Sequence, residues 1–280
     1  MDRNPQVKLE FLRAGSAELD RRVQAEMESG GIKADLLWLL DPPALMALRD
    51  RGQLQPYRSV QLRHLPPAWR DPSGFLTTTN LVNYIFVVNP ALIPVRAGPK
   101  RWADLPRFGK TTAVPNPAFA GSMQVVVAAL VREHGWQWFE RARREGMTVL
   151  RSTSDVARGL ASREFGVGVA IDYSVYGQIR DGAPLAIIWP EDGVVSVQSM
   201  ITITKNTQTP TAARLFVDYV LSQPGQQVLA SAGIYSLRSD VTVPQGVPKP
   251  TEMKTLSAPY DWIAQNAREL RTRFDEIMLR

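Results

Sequence analysis

Ala34-Asp35-Leu36-Leu37-Trp38-Leu39-Leu40 is an almost unbroken apolar run of strand length, and a helical stretch from Pro43 to Arg51 follows it at once and stops at Gly52. A short apolar run bounded by breakers reads as a strand covered on both faces, the habit of parallel sheets. A strand joined to a helix by two or three residues is the repeating unit of α/β architecture. The same alternation runs along most of the chain. It opens with the alternating run Val7 to Leu12, a predicted strand, then a Gly15-Ser16 turn and a helix carrying Leu19, Val23 and Met27. Ser16 stands at the predicted N-cap, with Glu18 and Asp20 in the first turn, where the helix dipole favours acids.

Residues 56 to 74 are rich in Pro and Arg and read as loop. Asn83 to Asn89 is a buried strand broken by Pro90 and Pro94. A second unit then begins at Trp102-Ala103-Asp104-Leu105, with strand 111–114, helix 122–133, helix 136–145, strand 148–150, a Ser-Thr-Ser-Asp cap at 152–155, a helix to Ser162 and strand 167–171. A long β-rich stretch, Val194 to Thr204, crosses back. Helices at 211–221, from Gly225 and at 262–278 close the chain. Two crossings between two α/β units predict two lobes, each a doubly wound mixed sheet with flanking helices. The first is discontinuous (1–88 with 203–280) and the second spans 89–202. Open sheets of this kind bind ligands beside the carboxyl ends of their strands, so the cleft between lobes is the expected site.

Composition narrows the chemistry. No cysteine is present, so thiolate metal sites and Cys nucleophiles are excluded. The formal charge is +6, but the basic residues lie in short scattered groups such as Arg141, Arg143 and Arg144, which is not the footprint of a nucleic-acid binder. It suits an anionic small ligand equally well. The longest apolar stretch, Val125 to Val131, is far short of the about 20 residues that span a membrane. There is no Gly-x-Gly-x-x-Gly, no phosphate loop and no His-Glu-x-x-His, and Ala120-Gly121-Ser122-Met123-Gln124 lacks the second Gly of a nucleophile elbow, so the chain does not read as an enzyme.

Several stretches, in order, carry a resemblance: Arg13-Ala14-Gly15-Ser16-Ala17-Glu18-Leu19, Ala34 to Trp38, Gly52-Gln53-Leu54-Gln55-Pro56-Tyr57, Trp102 to Leu105, Asn116-Pro117 leading to Gly121-Ser122, Trp189-Pro190-Glu191-Asp192-Gly193, and Ala212 to Phe216 with Ser222-Gln223-Pro224-Gly225-Gln226-Gln227. Together they resemble the periplasmic substrate-binding proteins of ABC importers, in the Venus-flytrap branch that takes ferric iron, phosphonates and sugar phosphates. The resemblance implies a periplasmic monomer without a cofactor that captures a small anionic solute by hinge closure and docks on a membrane permease or, in a variant of that role, on a membrane sensor. It also implies an earlier strand and helix of the first lobe, missing ahead of Val7.

The residues agree with that expectation. Ser16, Gly121-Ser122 and Ser154 each stand at a predicted helix start, where free backbone N–H groups hold a phosphate or carboxylate; plain N-capping is the other reading of each serine. Gly121 allows close backbone approach. Iron-binding members of the family carry an adjacent Tyr-Tyr pair; here Tyr173 and Tyr176 are three residues apart, and Asp41 stands one step beyond the comparable carboxylate position. If the cargo is iron, Tyr173 and Tyr176 are its ligands; otherwise no metal is expected. Asp172, after a buried strand, either caps the next helix or accepts a hydrogen bond from a ligand's amine or hydroxyl. Asn83 and Tyr84, on the first crossing, either line the cleft or pack the hinge. The resemblance therefore implies a ligand set of Ser16, Asp41, Asn83, Tyr84, Gly121, Ser122, Ser154, Asp172 and Tyr173.

Overall fold

Two long strands form the spine of the molecule. The structure, a computed structural model, describes residues 7–242 and 253–280. Strand β3 (Thr77–Val88) is buried at every position and starts six residues ahead of the predicted Asn83. It pairs antiparallel with β8 (Val194–Thr204), the predicted second crossing, from Thr77 opposite Ile201 to Tyr84 opposite Val195.

On one side of this pair, β1 (Leu36–Leu39) and β2 (Leu54–Gln55) add antiparallel to β8, and β9 (Tyr235–Ser236) adds to β3. On the other, β6 (Val167–Ile171) and β7 (Ala186–Ile188) pair antiparallel with β3. There β4 (Thr112–Pro115) runs parallel to β6, and β5 (Thr148–Leu150) parallel to β4. The short β10 (Thr255–Leu256) lies parallel to the start of β8. The result is a mixed sheet in the order β1-β8-β3-β6-β4-β5, continuous through the crossings.

Each helix is placed by the apolar stripe that it buries. α1 (Ser16–Glu28) and α2 (Pro42–Asp50) cover β1 through Val23, Leu45 and Leu48, which pack with Leu37 and Leu39. α7 (Pro210–Leu221) and α8 (Gln223–Ser231) cover the opposite face, where Ala213, Val217 and Leu221 meet Ile201 and Ile203. α3 (Met123–His134) and α4 (Gln137–Arg144) share a core with the closing helix α9 (Tyr260–Met278). α5 (Thr153–Ala161) and α6 (Asp172–Arg180) flank the far side of β6. α9 reaches further than its neighbours, for it packs on α2 as well as on α3 and α4. Tyr260 in its first turn touches the apolar groups of both, and its hydroxyl accepts the Gln198 N–H at 3.2 Å. Among the described residues no helix is long and apolar enough to cross a membrane.

The structure corrects two expectations. Val7 to Leu12 forms no strand, and Phe11 is 82% exposed. An alternating run becomes a strand only where a sheet edge receives it, and no described strand pairs with this one. β1 is not a doubly covered parallel strand: it is antiparallel to β8 and alternates in burial, with Trp38 partly exposed. The Trp38 indole N–H explains why that position tolerates water, since it donates to Ser199 Oγ at 2.8 Å and Thr79 Oγ1 at 3.1 Å. Residues 102–111 open the second unit as 3₁₀ turns broken at Gly109 (φ 49°), and the Trp102 indole, wholly buried, donates to the Gly193 carbonyl at 2.8 Å.

Candidate functional site

Three helices start at one place. The backbone turns into α1 at Gly15, its N-cap, so Ser16 is the first helical residue and its side chain caps nothing. Asp41, two residues past β1, is the N-cap of α2: its Oδ1 accepts the Ala44 N–H at 3.3 Å, and Pro42 and Pro43 fill the first turn, where no N–H is needed. Ser122 is the N-cap of α3 and also makes no capping bond with its side chain. Gly121 sits where they meet. A Cβ there would stand 2.5 Å from Asp41 Oδ2 and 3.0 Å from the Ser16 Cβ, so a side chain at this position would have to displace the Asp41 carboxylate that the glycine admits. The starts of α1 and α3 carry the partial positive charge of a helix N-terminus, whereas α2 opens on two prolines and its first N–H, at Ala44, is already taken by Asp41.

The Ser122 hydroxyl shares a 2.8 Å hydrogen bond with Tyr84 OH, buried on β3. Ser16, Asp41, Gly121, Ser122 and Tyr84 therefore form one group. Ser154 does not belong to it. It is the second residue of α5 and exposed, and Ser152 is the cap, accepting the Asp155 N–H at 3.1 Å.

A second group lies along the crossings. Asp172, the first residue of α6, is almost fully buried. Its Oδ1 accepts the Tyr173 N–H at 2.8 Å and the Asn83 N–H at 3.2 Å, and its Oδ2 accepts Asn83 Nδ2 at 2.7 Å. Ser196 on β8 then donates to Asn83 Oδ1 at 2.6 Å. Both oxygens of Asp172 are thus engaged by protein, and the network ties β3 and β8 to the β6–α6 junction. Tyr173, next along α6, is hydrogen-bonded by Arg13 from the segment ahead of α1. Tyr176 lies against Gly233, where a Cβ would approach its own Cβ to 3.3 Å.

Burial dominates the electrostatics. It pushes the Asp172 carboxyl up to about 6, against the opposing pull of the Asn83 hydrogen bonds. It pushes Asp41 up to about 6 as well; the Ala44 N–H opposes this, the Asp20 charge adds to it, and the Arg271 charge on α9 works against it. The Tyr84 and Tyr173 phenols are raised by burial, and Tyr176 is pushed up to about 12. Among the described residues no group of three or more His, Cys, Asp or Glu side chains is placed to hold a metal ion.

Arg13, Ser196 and Arg271 are members of this environment that sequence reasoning did not single out. Arg13 lies inside a quoted motif but ahead of the helix start that drew attention. Ser196 becomes visible only when the β3–β8 register sets it opposite Asn83.

A mixed α/β sheet continuous through two crossing strands, with helix starts facing one another beside them, defines a solute-binding protein of the periplasmic type. The chain belongs to the bacterial extracellular solute-binding proteins, whose family model matches residues 32–265. These proteins bind small solutes for ABC importers and work with a membrane permease. An uncharacterized protein of Haemophilus influenzae is 28% identical over 249 residues, covering 81% of this chain and 69% of that one. Among solved structures, the periplasmic binding protein AfuA of Actinobacillus pleuropneumoniae, with fructose-6-phosphate bound, superposes with a TM-score of 0.86 at 20% identity, over 99% of this chain and 92% of that one. Iron-bound HitA of Pseudomonas aeruginosa gives 0.84 at 17% identity, over 98% and 92%. The ferric binding protein of Campylobacter jejuni gives 0.81 at 22%, over 99% and 93%. At these identities the structures establish the fold.

Proposed function

We propose that the protein captures a small organic anion, an organophosphonate such as 2-aminoethylphosphonate or a sugar phosphate, between a lobe of residues 1–88 with 203–280 and a lobe of residues 89–202. It closes around the ligand by hinge motion and presents it, in the periplasm, to the membrane permease of an ABC importer. The observation that carries this reading is the meeting of α1, α2 and α3 at Gly121. The backbone N–H groups at the starts of α1 and α3 suit an oxyanion without requiring a Lys or Arg, while α2 brings the Asp41 carboxylate beside them. Ser16, Gly121 and Ser122 would hold the anionic group, and Asp41 would accept from it. Tyr84 and Tyr173 would line the wall, while Asn83 and Asp172 would set the hinge. The sugar phosphate bound to AfuA supports the ligand class.

Ferric iron is the cargo of other neighbours. Against it here, Tyr173 and Tyr176 stand three residues apart on α6 and do not form an adjacent pair.

A thermal-shift screen with 2-aminoethylphosphonate, hexose phosphates, inorganic phosphate and ferric citrate tests the reading. At a ligand concentration 100 times Kd, an organophosphorus ligand should raise Tm by roughly 5–10 °C. A visible absorbance band on adding Fe³⁺, with no response to any phosphorus compound, would overturn it in favour of iron.

A further inference from the structure

The run Val7 to Leu12 alternates as a strand does, yet no described strand pairs with it and its apolar side chains face water. Phe11 is 82% exposed, Leu12 56% and Leu9 41%. Val7, Leu9 and Phe11 fall on one face of an extended chain, and Lys8 and Glu10 fall on the other.

Two edges could receive such a strand. The first is β1, which has β8 as its one described strand neighbour. That edge runs between two helix layers: α1 and α2 pack on one face, and Trp38 meets Phe216 of α7 on the other. A strand added there would be covered on both faces, and Lys8 and Glu10 would be taken out of water. The second edge is the same segment of another copy. Laid antiparallel about a two-fold axis through Leu9, the run matches itself: Lys8 stands opposite Glu10, Leu9 opposite Leu9, and Val7 opposite Phe11. The two opposite-charge pairs then share the solvated face, and the pairs of an aromatic with a β-branched side chain share the apolar one. Both kinds of cross-strand pair stabilise antiparallel strands.

We infer that residues 7–12 are an interaction surface for a second copy of this chain, and that two copies join as a two-fold dimer through an antiparallel ribbon of these strands. The interface is small, so the association is weak and depends on concentration. The ribbon leads through Gly15 directly into α1, so pairing fixes the entry to that helix in both copies. The inference is independent of the solute that the protein carries.

Sedimentation of the full chain over a range of concentrations tests the association, and the mass should rise from 31.2 kDa toward twice that value. Lys8→Glu and Glu10→Lys each set like charges opposite one another at two symmetry-related places, and each should weaken dimerisation by about 10-fold. The double variant Lys8→Glu/Glu10→Lys brings opposite charges together again and should restore the dimer. Register is tested by disulfides, since the chain has no cysteine of its own. Leu9→Cys stands against its own copy and should cross-link under mild oxidation. Phe11→Cys is at the more exposed position but lies about 13 Å from its own copy in this register, too far to bridge, and should not cross-link. A mass of 31.2 kDa at every concentration up to about 0.5 mM would overturn the inference. A dimer indifferent to the single charge swaps, or not restored by the double one, would also overturn it, in favour of pairing at the β1 edge. Equal cross-linking of Leu9→Cys and Phe11→Cys would do the same, in favour of random collision.

Discussion

Asn83 shows how one side chain joins three elements. Its amide donates to Asp172 and accepts from Ser196, so β3, β8 and α6 are tied at a single buried position. Asn83→Ala keeps the backbone N–H to Asp172 but removes the 2.7 Å bond to Oδ2 and leaves a buried carboxylate oxygen short of a partner. We expect a loss of about 2–4 kcal/mol in urea unfolding, against about 1 kcal/mol for Ser196→Ala, which removes one neutral donor. Sequence marked both Asn83 and Asp172 but not their partnership, because they are far apart in the chain and only the sheet brings them together. The serines show a different limit. Any residue of the Ser-Thr-Ser-Asp run at 152–155 has the chemistry of a cap, and the choice of Ser152 over Ser154 is made by where the backbone leaves the extended region. Ser16 was displaced by one position for the same reason, since Gly15 takes the turn.

Helices were legible where a stripe of apolar residues ended in a glycine or a proline, as in α2 and α7, and the observed limits lie within a residue or so of those expected. Strands were harder. The run 7–12 has the alternation of a strand and the run 34–40 lacks it, yet the second forms one and the first does not, because pairing partners decide and they are remote in sequence. The closing helix was legible as amphipathic, but the identity of what it covers was not. Phe274 is fully buried and meets Phe139 edge-on, with ring centroids 5.7 Å apart. Phe274→Ala should cost about 3–5 kcal/mol, read as a lowered denaturant midpoint with an unchanged slope. An unchanged midpoint would mean that α9 contributes little to the core that it caps.

For the whole molecule, Asp41 and Asp172 set a common pH response. Both are raised to about 6 in the folded state from an ordinary value near 3.8, so the folded protein binds these protons more tightly than the unfolded chain. Their contribution to stability is complete below the unfolded value and is lost as pH rises through about 6. The free protein should therefore be more stable at pH 5 than at pH 7.5, by roughly 1–3 kcal/mol from the two groups together. Urea titrations at the two pH values measure this, and Asp172→Asn should flatten part of the slope. A protein equally stable at both would show that neither carboxyl is desolvated as the geometry implies.

α9 gives this architecture a mechanical character. In the proposed division of the chain its neighbours α3 and α4 lie in one lobe and α2 in the other, with Tyr260 touching both apolar groups. On that division, the proposed opening of the cleft would bend or slide this brace, and the angle between the lobes would be set partly by α9. Trimming the Tyr260 ring would retune how firmly the jaws hold their cargo while leaving every atom that touches that cargo in place.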